Sequence, residues 1–169
     1  MDFCTGRNVE KMAEKKSNRR ILREISLQAL YAYEMNGEGL SNIVNGLLTE
    51  ITSEADREFA QELVNKAVAN KDNIDQMIQG RVNNWEMERI ALIDKLLLRI
   101  GIAELLYFDD IPPKVSINEV IEISKNFSTS NSNKFINGIL DAILNELKKS
   151  GKLKKAGRGL IDESLAKNS

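Results

Sequence analysis

The sequence contains no histidine and only one cysteine, Cys4, close to its amino terminus. Without these residue types the chain lacks the means for imidazole catalysis, disulfides and the usual zinc sites. Its carboxylates stand at ordinary positions of solvated helix faces, and its serines have no histidine to activate them. We therefore expect no catalytic residues, no bound metal and no cofactor, and the chain is not expected to be an enzyme.

Long apolar runs and prolines are also scarce. No uncharged segment approaches the roughly 18 residues of a membrane helix, and residues 1–16 lack the apolar centre of a signal peptide. With 42% hydrophobic residues, 29% charged residues and two prolines among 169 residues, the composition is neither disordered nor collagen-like. These features predict a globular, cytoplasmic protein of one domain.

Charge is segregated along the chain, although the net charge is only −1. Residues 1–33 carry a net charge of +3, residues 34–110 carry −8 and residues 111–169 carry +4. This distribution suits a protein that meets a polyanion with one surface and a basic partner with another. Solvated helix faces produce the same asymmetry, so the charge pattern alone supports both interpretations.

Apolar residues recur at helical spacing through most of the chain and predict seven helices. The predicted helices cover residues 19–36, 40–48, 53–80, a short turn after Trp85, and residues 90–108, 113–127 and 132–150. The segment 90–108 is apolar nearly all round, which marks it as the central helix of the core.

No segment alternates with period two, so we expect an all-α fold without strands. Residues 18–151 are predicted to form one helical domain. Residues 1–17, a basic amino-terminal extension, and residues 152–169 have no periodic apolar face and are expected to be disordered.

Three arginines at the start of the first helix form the most informative cluster. Arg19, Arg20 and Arg23 fall within a sector about 100° wide beside the apolar arc, which predicts one exposed basic ridge. Arginine can hold phosphate in bidentate fashion and stack on an unpaired base, as single-stranded nucleic acid requires. Taken alone, three arginines are better explained by solvation or local ion pairs, so the cluster by itself does not establish RNA binding.

Several segments in a consistent order resemble one family. They are RRILRE at 19–24, LQALY at 27–31, IDKLLLRI at 93–100, ELLYFDDIP at 104–112, KVSINE at 114–119 and KFINGILD at 134–141. Over about residues 19–147 the sequence thus resembles the bacterial transcription antitermination factors of the NusB family.

The resemblance implies seven helices in two small bundles, and it implies a function. Family members bind the boxA element of nascent ribosomal RNA leaders as single-stranded RNA. They do so with the small-subunit ribosomal protein that acts as NusE, as part of the RNA polymerase antitermination complex. The resemblance also implies a possible homodimer, formed through the surface that RNA would need.

Carried over by position, the resemblance assigns two sets of contact residues. The RNA-binding set is Arg19, Arg20, Arg23, Gln28, Phe127 and Lys134, and the partner-binding set is Tyr31, Glu88 and Asp94. The helical pattern itself favours a core position for Phe127 and a surface position for Tyr31. It also favours structural ion pairs for Arg99 and Glu104, which lie on the mostly buried helix.

Two features depart from the family pattern or lie outside it. Asn131, a candidate cap of the seventh helix, stands where the family usually has an acid. The lysine-rich run at residues 148–158 is not covered by the resemblance and would add nonspecific attraction to phosphate.

Two other functions stay open at this point. One is a helical protein–protein adaptor that does not bind RNA. The other is a NusB-like domain related to ribosomal RNA cytosine methyltransferases, although the sequence shows no glycine motif for a methyl donor.

Overall fold

Helices form nearly all the regular structure of residues 18–161, which are the residues that the computed structural model describes. The eight α-helices are α1 (Asn18–Asn36), α2 (Leu40–Leu47), α3 (Glu54–Ala69), α4 (Lys71–Gln79), α5 (Asn84–Arg89), α6 (Leu92–Tyr107), α7 (Pro113–Phe127) and α8 (Ser130–Lys149). A short 3₁₀ helix, Gly157–Leu160, follows. No strand occurs between residues 18 and 161, and the all-α prediction is confirmed. None of these helices combines the length and the apolar character needed to cross a bilayer.

The predicted count of seven helices was wrong because the expected helix over residues 53–80 is divided at Asn70. The backbone there has φ −109° and ψ 18°, and the Asn70 side-chain amide donates to the Lys66 carbonyl at 2.9 Å. Asparagine competes in this way with the helical backbone. The apolar stripe nevertheless continues across the bend, with Ala67 and Ile74 both buried. Periodicity alone therefore could not show the interruption.

The helix α6 lies at the centre of the core, as its apolar sequence predicted. Every residue from Leu96 to Leu105 is buried, and α1, α3, α4, α7 and α8 all pack against this helix. Gly101 permits the close approach of α8, because a Cβ atom there would lie 3.0 Å from Cδ2 of Leu140. The two charged residues of this buried stretch, Arg99 and Glu104, each form an ion pair with a residue of another helix.

Residues 152–161, the carboxyl-terminal strap, pack on the domain, which corrects the expected disorder for this part of the chain. The Lys155 ammonium donates to the carbonyls of Glu104 at 3.1 Å and Phe108 at 2.7 Å, at the carboxyl end of α6. The Ala156 amide donates to the Asp109 carbonyl at 3.0 Å. Gly159 lies so close to that carbonyl that a Cβ atom would overlap its oxygen. Residues 1–17 and 162–169 lie outside the described residues.

Candidate nucleic-acid and partner surfaces

Arg23 does not belong to an exposed ridge, and the prediction of one was wrong at this position. Its side chain is only 3% exposed and that of Glu104 is fully buried. Two guanidinium nitrogens of Arg23 donate to the two carboxylate oxygens of Glu104, each at 2.7 Å. Ser116 adds a hydroxyl donor to Glu104 at 3.0 Å. A buried carboxylate requires such partners, so Arg23 serves to join α1 to α6.

The charged state of Arg23 is secured by its surroundings. Burial opposes the charge, but the hydrogen bond and the negative charge of Glu104 outweigh it and raise the pKa of Arg23 above its ordinary value. Glu119, on α7, adds a weaker attraction, since its carboxylate lies 3.9 Å from a guanidinium nitrogen of Arg23. Arg23 therefore stays charged in the folded protein.

Arg20 is partly exposed, and it links α1 to α7. Its Nε and Nη2 atoms donate to the two carboxylate oxygens of Glu119 at 2.8 and 2.9 Å. The hydrogen bond from Arg20 is the main reason why the pKa of Glu119 is lowered. A phosphate that approaches Arg20 must therefore compete with this carboxylate.

We expect the pair Arg20–Glu119 to make stability depend on pH in the acid range. Because the folded-state pKa of Glu119 lies below its ordinary value of 4.5, the pairing stabilises fully above that value. The stabilisation is lost as pH falls through the lower folded-state pKa. Thermal unfolding measured between about pH 3 and pH 6 should show a shallower acid loss for Glu119→Gln than for the wild type.

The matched control for that experiment is Glu122→Gln. This substitution removes another α7 carboxylate, one whose partner, Lys125, is exposed. We expect the control to keep the pH profile of the wild type. Identical profiles for the wild type and Glu119→Gln would show that the Arg20–Glu119 pair contributes nothing to acid sensitivity.

Arg19 is the exposed arginine of the three. Its guanidinium lies over the Phe59 ring, with Cζ at 4.0 Å from the ring centroid. Phe59 in turn meets Phe108 edge to face, with centroids 5.5 Å apart. The aromatic ring fixes the guanidinium by a cation–π contact and leaves it accessible from solvent.

The other residues of the predicted RNA set lie at the surface. Gln28 and Lys134 are exposed. Phe127 is 42% exposed, so the core position favoured by its helical pattern was wrong. The buried stripe of α7 ends at Ser124, and Phe127 lies one turn further, at the last residue of the helix.

Asp94 is buried, which corrects its expected exposure toward a basic partner. It is 5% exposed, and its carboxylate oxygens accept hydrogen bonds from the hydroxyls of Ser128 at 2.6 Å and Ser132 at 2.7 Å. These serines flank the start of α8. Asp94 therefore fixes the loop between α7 and α8 on the first turn of α6.

The cap of α8 is Thr129 and not Asn131, so the capping prediction was wrong. The Thr129 side-chain oxygen accepts the Ser132 amide at 3.2 Å, and Asn131 lies exposed in the first turn. Threonine, serine and asparagine are all good caps, which is why the polar run did not single out one residue.

An exposed groove lies between α5, the start of α6 and the start of α8. It has a volume of about 370 Å³ and is lined mainly by Trp85, Ile90, Asn131 and Phe135. Trp85 is 60% exposed, and the Arg89 guanidinium lies 4.0 Å from its ring centroid. Sequence reasoning did not assign Trp85 a role, although it is the only tryptophan and falls on a helix without a buried residue.

Two predicted partner residues lie at the surface as expected. Tyr31 is 42% exposed on α1, and Glu88 is exposed on α5. A reciprocal capping box holds α5: the Asn83 side chain accepts the Glu86 amide at 2.8 Å, and the Glu86 carboxylate accepts the Asn83 amide at 2.9 Å. The short helix is thus fixed in a conformation that displays Trp85 and Glu88.

The remaining buried arginine has a structural partner, as predicted. Arg99 donates to both carboxylate oxygens of Asp75 at 2.8 and 2.9 Å.

Among residues 18–161, no group of three or more cysteine, aspartate or glutamate side chains is arranged to hold a metal ion.

Comparison with known proteins identifies relatives over most of this chain. The sequence model of the NusB family matches residues 20–145. The transcription antitermination protein NusB of Chloroherpeton thalassium is 48% identical over 147 residues, which cover 86% of this chain and 70% of that protein. The corresponding protein of Salinibacter ruber is 42% identical over 147 residues and is covered to 92% of its length.

Solved structures agree with the sequence matches. T. maritima NusB superposes with a TM-score of 0.72 at 36% identity, covering 78% of this chain and 93% of that one. A chain of the crystal structure of antitermination factors NusB and NusE in complex with dsRNA has a TM-score of 0.69 at 25% identity, covering 76% of this chain and 97% of that one. The matched residues include Arg20 and Arg23 of α1, the central helix α6 and the loop before α8, and the chain belongs to the NusB family.

Proposed function

We propose that this protein is a transcription antitermination and elongation factor. It binds boxA-type single-stranded RNA of ribosomal RNA leaders together with the ribosomal protein that acts as NusE. The family match over residues 20–145 carries this proposal, because it includes both candidate surfaces except Arg19. The related chain in complex with NusE and dsRNA supports the combination of RNA binding with NusE binding. The protein acts without catalysis, as an adaptor within the RNA polymerase antitermination complex.

The proposed RNA surface joins α1 to the loop before α8. Arg19 and Arg20 supply phosphate contacts, and Gln28 and Lys134 supply further polar contacts. The exposed ring of Phe127 offers a face on which a base can stack. Arg23 supports this surface from beneath, since its bond to Glu104 holds α1 in place.

The proposed partner surface lies on the acidic part of the chain. Tyr31, Glu88 and the newly found Trp85 are its exposed residues, within a segment whose net charge from residue 34 to residue 110 is −8. Such a surface complements a basic ribosomal protein and favours fast association. Asp94 contributes through the loop that it fixes.

RNA binding should depend on salt through Arg19 and Arg20. If each contacts one phosphate, Arg19→Gln/Arg20→Gln should make the slope of log affinity against log salt shallower by about 1.4 units for single-stranded RNA. Titration of a fluorescent boxA-type RNA at several salt concentrations measures this slope. Arg23 stays unchanged, because its loss would perturb the fold.

The matched control is Lys71→Gln/Lys95→Gln, which removes the same charge from α4 and from the start of α6. This variant should keep the wild-type slope. A slope that is unchanged in the arginine variant, or lowered equally in the control, would refute specific phosphate contacts at Arg19 and Arg20.

A protein-only adaptor is the competing function. It would bind the ribosomal partner normally but show no affinity for boxA-type RNA, with or without that partner. Titrations of RNA in both conditions separate the two functions. Sedimentation of the free protein tests the homodimer that the resemblance implies.

A further inference from the structure

The carboxyl-terminal strap and the end of α8 carry a concentrated positive charge that lies beyond residues 20–145, the part matched by the family model. Residues 148–158 contain six basic residues and no acidic one. The basic residues are Lys148, Lys149, Lys152, Lys154, Lys155 and Arg158. Among the described residues, Lys155 is the one of these six whose side chain bonds to the end of α6.

Lys155 anchors the strap, while the other five cations face solvent. The Lys155 ammonium is bonded to two carbonyls at the end of α6, and the Ala156 amide and Gly159 hold the chain against Asp109. The other five are exposed, and within residues 18–161 none of them forms an ion pair. Asp109 and Asp110 are exposed beside Lys155 and offset part of the charge, but the strap stays net positive.

The strap lies at the same end of the molecule as Arg19. Arg19 covers Phe59, Phe59 contacts Phe108, and the Phe108 carbonyl accepts the Lys155 ammonium. With the dimensions of a phenylalanine residue added, this series of contacts spans at most about 20 Å. At about 3.4 Å between phosphates of a stacked strand, roughly six nucleotides cover that distance. One strand can therefore reach from the α1 arginines to the strap.

We infer that the strap extends the RNA surface and binds phosphates of the single-stranded RNA that flanks the boxA-type element. The inference rests on the proposed function, since it requires RNA at α1. Lysine acts here as a point charge, which attracts phosphate without reading sequence. The strap would thus add affinity and salt dependence, while α1 and the loop before α8 determine the register of the RNA.

The test compares RNAs of two lengths with matched variants. The RNAs are a boxA-type 12-mer and two longer ones that carry an unstructured extension of about 12 nucleotides at the 5′ or the 3′ end. The strap variant is Lys152→Gln/Lys154→Gln, and the control is again Lys71→Gln/Lys95→Gln. All four substituted residues lack a buried partner, and equal thermal midpoints establish that the variants fold alike.

We expect the wild type to bind one of the two extended RNAs more tightly than the 12-mer. The strap variant should bind that extended RNA about tenfold more weakly than the wild type at 0.1 M salt, with a salt slope shallower by about 1.4 units. Its affinity for the 12-mer should change less than its affinity for that extended RNA, because fewer phosphates of the short RNA lie at the strap. The control should follow the wild type with every RNA.

Four results would overturn the inference. Equal affinity of the wild type for all three RNAs would refute RNA binding by the strap and leave boxA binding at α1 intact. Wild-type affinities and salt slopes in the strap variant would do the same. If the wild type binds none of the RNAs, both RNA binding by the strap and the proposed function are refuted. If the strap variant binds the extended RNA normally but loses affinity for the ribosomal partner, the lysines contact that protein instead.

Discussion

Glu104→Gln should lower the free energy of unfolding by about 3–5 kcal/mol, although it only replaces one carboxylate oxygen by an amide NH2 group. The substitution leaves the Arg23 guanidinium charged and almost fully buried, with only Glu119 at 3.9 Å to compensate. It also disturbs the hydrogen bond from Ser116. For a chain of this size we expect the thermal midpoint to fall by about 10–15 °C. Calorimetry or circular dichroism measures the midpoint.

The double variant Arg23→Met/Glu104→Met distinguishes an unpaired charge from lost packing. Methionine fills similar space without charge, so the double variant should be more stable than Glu104→Gln alone. Glu122→Gln serves as the surface control and should cost at most about 0.5 kcal/mol, since its pair with Lys125 is exposed. The single variants Arg23→Met and Glu104→Met complete the comparison. If the loss of stability in the double variant equals the sum of the losses in these two, the charge pair is not the source of the effect.

The same pair shows why part of the site could not be predicted from sequence. A helical wheel places Arg23 beside Arg19 and Arg20, but it contains no information about Glu104, which lies 81 positions further along the chain. Burial of Arg23 depends on the packing of α1 against α6. Local periodicity predicted that Glu104 is a buried, paired charge, but not which arginine completes the pair.

The fold itself was largely predictable, because its core is periodic in sequence. The apolar stretch of α6 indicated the central helix, and the stripes of the other helices indicated the all-α class. The exceptions depend on side-chain hydrogen bonds that carry no apolar signal. Asn70 divides one stripe in two, and Lys155 attaches a segment without any stripe to the end of α6.

Surface positions were predictable where one residue faced away from a clear stripe, as at Tyr31. Predictions of surface or core position failed at the ends of helices. Phe127 continues the stripe of α7 past the end of the core, and Asp94 lies in a first turn where two serines from another loop enclose it. The Phe127 error arises because a helical wheel has no information about where neighbouring elements end. The exposure of Asp94 was implied by the family resemblance, which does not show the serines that enclose its carboxylate.

Trp85→Ala should weaken binding of the ribosomal partner about 30-fold, or about 2 kcal/mol, while leaving the fold stable. A large aromatic side chain that is 60% exposed contributes little to the core, so its loss should hardly change the thermal midpoint. Arg89 and the capping box of α5 hold the ring in place before binding. Preorganised aromatic anchors of this kind supply much of the affinity at protein interfaces.

The control for this experiment is Leu47→Ala, which truncates an exposed apolar side chain on α2, outside the groove of Trp85. Isothermal titration with the ribosomal protein, and separately with boxA-type RNA, gives both affinities for each variant. We expect Trp85→Ala to lose affinity for the protein partner and Leu47→Ala to lose none. Normal partner binding combined with weaker RNA binding would instead show that the groove takes a base, because an exposed indole stacks on nucleobases as readily as it packs against protein.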